Sequence, residues 1–400
     1  PQDGRIKAIV GGYSFEQSQY NRAVQAKRQV GSNIKPFIYS AALENGYTLA
    51  SILNDAPINQ WDKSQGVAWR PKNSPAVYNG PIRIRRALAQ SKNVISVRLL
   101  RGVGLERTAD HLLKFGFLNS DINRSESLAL GSASITPLEL ARGMSAFANG
   151  GHLITPYYIS EIQDSAGTTL YKATPELACD TPEQKVTPDF ATLDDSQLMA
   201  TELEHNAQPR CAPRIISKQN AFLISQAMHS AIWGGGSWAH KTGWSGTGWR
   251  AQALDRRDLA GKTGTTNDSV DTWFSGFNRN VLTSVWVGFD NPGNPLGRST
   301  YNSNLDKSQI SGAESGAKTA QPAWVDFMRV ALDGMPEAPI EFPEGLVSVR
   351  IDLATGLLSH KNDYTSRFEY FIKGTAPTKY VLEQPTNVFE ESLSTEEELF

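Results

Sequence analysis

The chain has 400 residues, 40 % hydrophobic and 20 % charged, with a formal net charge of −2. That length exceeds what one hydrophobic core usually holds, so two or more lobes are expected. The near-balanced charge gives no electrostatic motive for binding nucleic acid, and no apolar run approaches the ~20 residues that a membrane-spanning helix needs. The chain opens on the turn-like Pro1-Gln2-Asp3-Gly4, without a Met or a signal peptide. It therefore reads as a piece of a longer protein, with any targeting or anchoring segment on the missing part.

In chain order, Arg5–Val10 and Tyr20–Ala26 read as two short strands joined around Gly11-Gly12. A helix follows: Ile34, Phe37/Ile38 and Ala41/Ala42 keep the 3.6-residue period, Pro36 suits its first turn, and Glu44-Asn45-Gly46 stops it. At its start, Ser32 and Lys35 stand three apart, which puts them on one helical face about 5–6 Å apart at Cβ. That spacing suits a hydroxyl nucleophile and an amine base, but Ser315-Gly316-Ala317-Lys318 repeats the letters, so the pattern alone is weak. From about 49 to 150 the chain is helix-rich, with Ile82–Gln90 and Val94–Leu100 broken at Ser91-Lys92-Asn93, then Arg107–Phe115 and Thr136–Ala148. The last of these has a Thr136 N-cap with Pro137 in the first helical position.

Pro156–Asp164 and Thr168–Lys172 form a predicted hairpin around Ser165-Ala166-Gly167. Residues of about 174–214 are polar and Pro-rich without periodicity, a flexible solvated insertion. The chain's two cysteines, Cys179 and Cys211, lie there. A disulfide tying off the loop is the preferred reading, which an oxidising compartment permits, and two unpaired surface thiols are the alternative. Two cysteines with no clustered histidine fall short of a zinc site, and none of the six histidines shows a pairing pattern. Asn220–Ile232 is a helix, followed by a Gly-rich loop with Trp233, Trp238, Trp244 and Trp249 that could line a groove or pack lobes together. Asp258–Thr266, Thr272–Asn278 and Val281–Phe289 predict an antiparallel meander, and Pro322–Leu332 a helix. After Gly334, Glu341–Ile351 and Phe368–Lys373 alternate like short strands before an acidic tail, Glu390-Glu391 and Glu396-Glu397-Glu398, that reads as a disordered end.

These elements predict an α+β fold. An antiparallel sheet built from both ends of the chain is sandwiched by helices, with an inserted all-helical lobe and a small C-terminal β appendage. Residues 1–337 form the main domain: sheet part about 1–48 and 215–337, helical lobe about 49–150, hairpin and polar insertion about 151–214. Residues 338–400 form the appended element.

Three motifs stand in order: Ser32-x-x-Lys35 at a helix start, Ser91-Lys92-Asn93 at a helix break, and Lys262-Thr263-Gly264-Thr265 in a strand. An earlier Lys241-Thr242-Gly243 reads as loop, between glycines and Trp244-Ser245-Gly246, and Ser315 follows Lys262 in a Gly-rich loop; neither is assigned a role. The ordered trio resembles the transpeptidase domain of penicillin-binding proteins, a β-lactamase/transpeptidase-like fold. The surrounding Arg28-Gln29-Val30-Gly31-Ser32-Asn33-Ile34-Lys35-Pro36-Phe37, Ala89-Gln90-Ser91-Lys92-Asn93-Val94, Gly261-Lys262-Thr263-Gly264-Thr265-Thr266-Asn267-Asp268 and Thr272-Trp273-Phe274-Ser275-Gly276 are similar to the class A, bifunctional type. Trp69-Arg70-Pro71-Lys72-Asn73 and the final Glu398-Leu399-Phe400 resemble its Gram-negative 1a branch. The likeness covers the fragment apart from the 174–214 insertion.

The resemblance implies a serine D,D-transpeptidase that crosslinks peptidoglycan stem peptides and is acylated by β-lactams. Ser32 would attack the penultimate D-Ala carbonyl, and Lys35 would be the base, provided burial and a nearby cation such as Lys262 disfavour its ammonium. Ser91 would relay a proton to the leaving amine, and Asn93 would bind the substrate backbone and hold Lys35. Lys262, Thr263 and Thr265 would fix the terminal carboxylate, and Gly264 would let the substrate approach the strand. The backbone N–H groups of Ser32 and Thr265 would form the oxyanion hole. No cofactor or metal is implied. Family members carry an inner-membrane anchor and a glycosyltransferase domain that this chain lacks. They work in the periplasm, and accessory cell-wall synthesis proteins are possible partners. A D,D-carboxypeptidase or β-lactamase-type hydrolase, and a non-catalytic β-lactam sensor or peptidoglycan-binding module, stay open as alternatives.

Overall fold

The computed structural model describes residues 1–58, 70–180, 210–297 and 314–382. Its centre is the helix Lys35–Glu44, in which every residue from Lys35 to Leu43 is buried. A helix apolar on all sides belongs inside a protein rather than on its surface, and Ser40, Ala41 and Ala42 let neighbours approach closely. Phe37 packs edge-on against Phe115 and Phe117, with ring centroids 4.8 and 5.1 Å away, and meets Phe147 at 5.3 Å. The helices Asn93–Val103, Leu105–Lys114 and Lys218–Trp233 also pack on this core helix. The predicted N-cap at Thr136 is realised as a full capping box, the Thr136 side chain on the Glu139 N–H and the Glu139 carboxylate on the Thr136 N–H.

The predicted meander is present as Ala260–Thr265, Asp271–Phe277 and Leu282–Gly288, antiparallel, with Lys262 opposite Ser275 and Gly264 opposite Trp273. All seven residues of its middle strand are buried. Successive side chains point to opposite faces of a sheet, and here both faces are covered. Trp273 joins the core that contains the Lys35–Glu44 helix, whereas Phe274 joins a second core with Trp324 of the helix Gln321–Ala331. The sheet is thus sandwiched, as anticipated.

Its other expected strands are not there. Arg5 makes a single bridge to Tyr157, and Arg22–Gln25 is a helical turn capped by the Asn21 side chain on the Ala23 N–H. Val10 and Tyr13 are 83 % and 93 % exposed, so the apolar letters of this segment bury nothing that would hold a strand in a sheet. Among the described residues the sheet comes from the late strands alone. The 49–150 lobe, in turn, is not purely helical. Ile52–Asp55 pairs with Gly80–Arg83, and Ser134–Ile135 with Arg28–Gln29. Asn54, Asp55, Gly80 and Pro81 are poor strand formers, which hid the first pair.

The hairpin Glu161–Gln163 with Thr169–Lys172 forms on the surface. Cys179 and Cys211 are joined, with Cα atoms 5.1 Å apart, across the base of the polar insertion; its residues 181–209 lie outside the described residues, as do Trp69 and the acidic tail. Leu346–Asp352 and Ser366–Ile372 make the C-terminal antiparallel pair. From it Glu369, fully buried, reaches into the main body. Arg85 Nε and Nη2 donate to its carboxylate at 2.8 and 2.5 Å, and Arg83 Nη1 at 3.1 Å. Burial alone would raise the Glu369 pKa, but Arg85, Arg367 and Arg83 outweigh it and hold the carboxyl below its ordinary value. No helix among the described residues is long and apolar enough to cross a membrane.

Candidate active site

Ser32 sits in a 3-10 turn, Gly31–Ile34, that runs straight into the buried helix. Gly31 has φ +52°, and a Cβ there would come within 2.6 Å of the Thr265 carbonyl. From the other side, a Cβ on Gly131 would lie 1.9 Å from the Gly31 carbonyl. Glycine at both positions lets the Ser32 turn seat directly on the third-motif strand.

Lys35 is fully buried. Its Nζ donates to the Ser91 carbonyl and to Asn93 Oδ1, both at 2.7 Å, and lies 3.3 Å from Ser91 Oγ. Ser91 follows the helix Ile84–Ala89 in the left-handed region, with φ +56°. Such a conformation costs about 1–3 kcal/mol for a non-glycine residue. It is held by the Ser91 N–H on Leu88 and the Lys92 N–H on Ala87, and it presents both the hydroxyl and the carbonyl of Ser91 to Lys35. From the sheet, Lys262 Nζ donates to the same Ser91 Oγ at 2.8 Å and to the Thr263 carbonyl at 3.0 Å. The structure therefore brings Lys35, Ser91, Asn93 and Lys262 into one hydrogen-bonded net beside Ser32.

Two buried lysines facing one hydroxyl cannot both carry charge cheaply. Burial, and then the charge of Lys262, push Lys35 well below the usual lysine range; burial lowers Lys262 to about 7. As an ammonium, Lys35 would use three N–H bonds on its three acceptors. As a free amine it keeps two for the short contacts and has a lone pair left over. Ser91 Oγ can then accept from Lys262 and offer its own proton to Lys35.

Thr263 Oγ1 donates to Thr247 Oγ1 at 2.8 Å, and Thr265 Oγ1 accepts from the Gly316 N–H at 3.0 Å, which leaves the Thr265 hydroxyl proton uncommitted. At Gly264 the structure supplies a reason different from substrate approach. A Cβ would strike Val30, Asn33 and Trp273, at 2.7–2.9 Å, so glycine is needed for the strand to pack on the Ser32 turn. Lys241-Thr242-Gly243 is an exposed turn, as read from its neighbours. Trp244 is buried against Ala89 and Ala231, whereas Trp238 and Trp249 are exposed. His111 does have partners, Ser40 Oγ at 3.0 Å and Glu44 at 3.2 Å, in a structural setting away from the net.

The sequence reading missed Asn73. Its Oδ1 accepts from the Asn93 and Val94 N–H groups at 2.9 and 3.2 Å, capping the Asn93–Val103 helix from a distant loop. Its Nδ2 donates to Asp55, which is also paired with Lys92 at 3.0 Å. The Arg70-Pro71-Lys72-Asn73 stretch, legible only as a branch marker, thus supports the second motif, with Asn93 Nδ2 on the Lys72 carbonyl. Gly316, inside the discounted Ser315-x-x-Lys318 repeat, was missed in the same way.

Residues 1–311 match the family model described as penicillin binding protein transpeptidase domain. The chain belongs to the penicillin-binding protein transpeptidase family. Residues 342–383 also match the model of the penicillin-binding protein 1A C-terminal domain. It is 50 % identical to penicillin-binding protein 1A of Vibrio cholerae over 100 % of this chain and 47 % of that protein. With the Escherichia coli protein of the same name, identity is 46 % over 96 % of this chain and 47 % of that one. The crystal structure of penicillin-binding protein 1A from Haemophilus influenzae superposes with a TM-score of 0.81 at 44 % identity, over 95 % of this chain and 53 % of that chain. The chain spans about half the length of these relatives.

Proposed function

We propose that this chain is the peptide-crosslinking unit of a peptidoglycan synthase, a serine D,D-transpeptidase that β-lactams acylate. The observation that carries the reading is the Ser91 hydroxyl shared by a depressed Lys35 and by Lys262. Ser32 Oγ gives its proton to the Lys35 amine and bonds to the penultimate D-Ala carbonyl carbon of a stem peptide. The backbone N–H groups of Ser32 and Thr265 hold the oxyanion, an arrangement in which one donor is worth about 10²–10³ in rate. The C–N bond to the terminal D-Ala then breaks. Its amine leaves with the Ser91 proton, and the Lys35 ammonium restores Ser91. Asn93 holds Lys35 and the substrate backbone, while Lys262, Thr263 and Thr265 bind the terminal carboxylate along the Gly264 strand. An acceptor amine reverses these proton transfers and takes the acyl group. We assign residues 1–337 to this unit and 338–400 to the appended β element, in line with where the family matches fall. The relatives being Gram-negative, the setting is the periplasm, with the longer protein anchored in the inner membrane and accessory cell-wall proteins as partners.

Intact-mass measurement after adding penicillin tests the reading. A long-lived adduct on Ser32, with D,D-transfer from a pentapeptide donor to an amine, supports it. Rapid loss of the adduct would mark a hydrolase, and acylation with no turnover a sensor.

The pH profile is a second check. Acylation needs Lys35 neutral, so kcat/KM should rise with pH through the Lys35 ionisation, falling about tenfold per unit below it. Carboxylate recognition needs Lys262 charged, so an alkaline limb should follow from about 7 in the free enzyme. Both limbs are properties of the coupled pair. A flat profile from acid to alkaline pH would contradict these roles.

A further inference from the structure

The loop after the Lys218–Trp233 helix approaches the site at a point that none of the three motifs covers. We propose that Thr247, in this Trp- and Gly-rich loop, is a positioning residue that presents the Thr263 hydroxyl to the substrate's carboxylate. The proposal rests on the transpeptidase reading of the site and deepens its recognition step.

Thr247 touches the third motif and the helix end that leads into the second. Its hydroxyl accepts from Thr263 Oγ1 at 2.8 Å, and its backbone N–H donates at 3.1 Å to the carbonyl of Ala89, two residues before Ser91. The loop around it is fixed on every side. The Gly248 N–H donates to the Ala231 carbonyl at 2.9 Å, Gln321 Nε2 donates to the Gly248 carbonyl at 2.7 Å, and Trp244 is buried against Ala89 and Ala231. A Cβ on Gly246 would fall 2.1 Å from the Ala231 carbonyl, so the loop lies directly on the Lys218–Trp233 helix. The Thr247 hydroxyl is therefore held at a defined place between the Ser91 helix and the Lys262 strand.

The chemistry follows from counting protons. A hydroxyl has one proton to give and can accept two. Without ligand, the buried Thr263 gives its proton to Thr247. A carboxylate only accepts, so on binding Thr263 must turn its proton toward the ligand, and its oxygen is left needing a donor. Thr247 then donates its own proton to Thr263 Oγ1. The pair keeps both oxygens satisfied in either state, and the second donor strengthens the first hydrogen bond. Valine at 247 keeps the shape and removes that donor.

The test compares acylation of Ser32 by a penicillin with acylation by its methyl ester, the latter measured at higher concentration. Thr247→Val should lower the acylation efficiency for the free acid about tenfold while leaving the ester unchanged, and Thr247→Ser should restore the acid. Thr247→Val should cost little more when added to Thr263→Val than Thr263→Val alone, as expected for a residue that acts through Thr263. Equal losses with acid and ester would mean that Thr247 only supports the fold, and no loss with either would also overturn the proposal. Should Thr247→Val shift the thermal unfolding midpoint, Thr247→Ala and the acid-to-ester ratio decide, since a general loosening moves both ligands together. Failure of the transpeptidase reading is distinguishable in the unsubstituted protein, which would then shed the adduct rapidly, show no peptide transfer or not be acylated at all, whatever residue 247 does.

Discussion

Ser32→Ala is expected to abolish covalent labelling by a fluorescent penicillin and to lower peptide transfer about 10⁶-fold, the scale seen when a serine nucleophile is removed from an intact catalytic unit. The rest of the site should survive the change. The hydrogen bonds that join Lys35, Ser91, Asn93 and Lys262 run through none of the atoms of Ser32. The turn that carries residue 32 is fixed by the Gly31 N–H on Gly131 and the Asn33 N–H on Val30, both backbone contacts. The variant should therefore unfold at the same temperature as the parent and still bind penicillin reversibly. Intact mass and in-gel fluorescence provide the measurement. Label that persists at the parent's level on the variant would remove Ser32 from the mechanism, whatever the geometry around it.

Glu369→Gln should be the most damaging substitution in the described C-terminal β pair, by about 3–5 kcal/mol, because it leaves the charges of Arg85 and Arg83 buried without their counter-ion. Arg85 is also committed elsewhere, with Nη1 on the Gln226 carbonyl at 2.8 Å and on Ser230 Oγ at 3.1 Å, so it cannot swing out to water without breaking the Lys218–Trp233 helix contacts. Denaturant unfolding reads the effect. The cost should persist at high salt, since buried pairs are poorly screened. The carboxyl's folded pKa is depressed, so its contribution is complete above the unfolded value near 4.3 and is lost as pH falls through the folded one. The difference between parent and variant should thus shrink in acid. A variant within about 1 kcal/mol of the parent at neutral pH would show that the cluster is not a latch.

What could be read from the sequence was local or carried by strong periodicity. The Lys35–Glu44 helix, the Thr136 cap and the strands of 260–288 were legible because spacing, caps and turns state them directly. The Lys35–Ser91–Lys262 net was legible as three motifs in order, though their meeting at Ser91 Oγ required the fold. The N-terminal strands were misread because the apolar letters of Arg5–Val10 say nothing about whether a partner strand exists. Asn73, Thr247, Gly316 and Glu369 were invisible for a common reason. Each acts through a contact with a residue distant in the chain, on Asn93, Thr263, Thr265 and Arg85 respectively, and a side chain with no local pattern gives no sign of its remote partner.

The glycine contacts around Ser32 bear on how much sequence change this part of the fold can absorb. A Cβ at Gly31, Gly131, Gly264 or Gly316 would meet a backbone atom at 1.9–2.7 Å, so no single substitution at these four positions can be made without displacing a strand or the Ser32 turn itself. Sequence variation that spares this packing has to enter where side chains have room. The Trp-rich loop, where Trp238 and Lys241 face solvent, offers that room, and the glycine contacts around Ser32 do not.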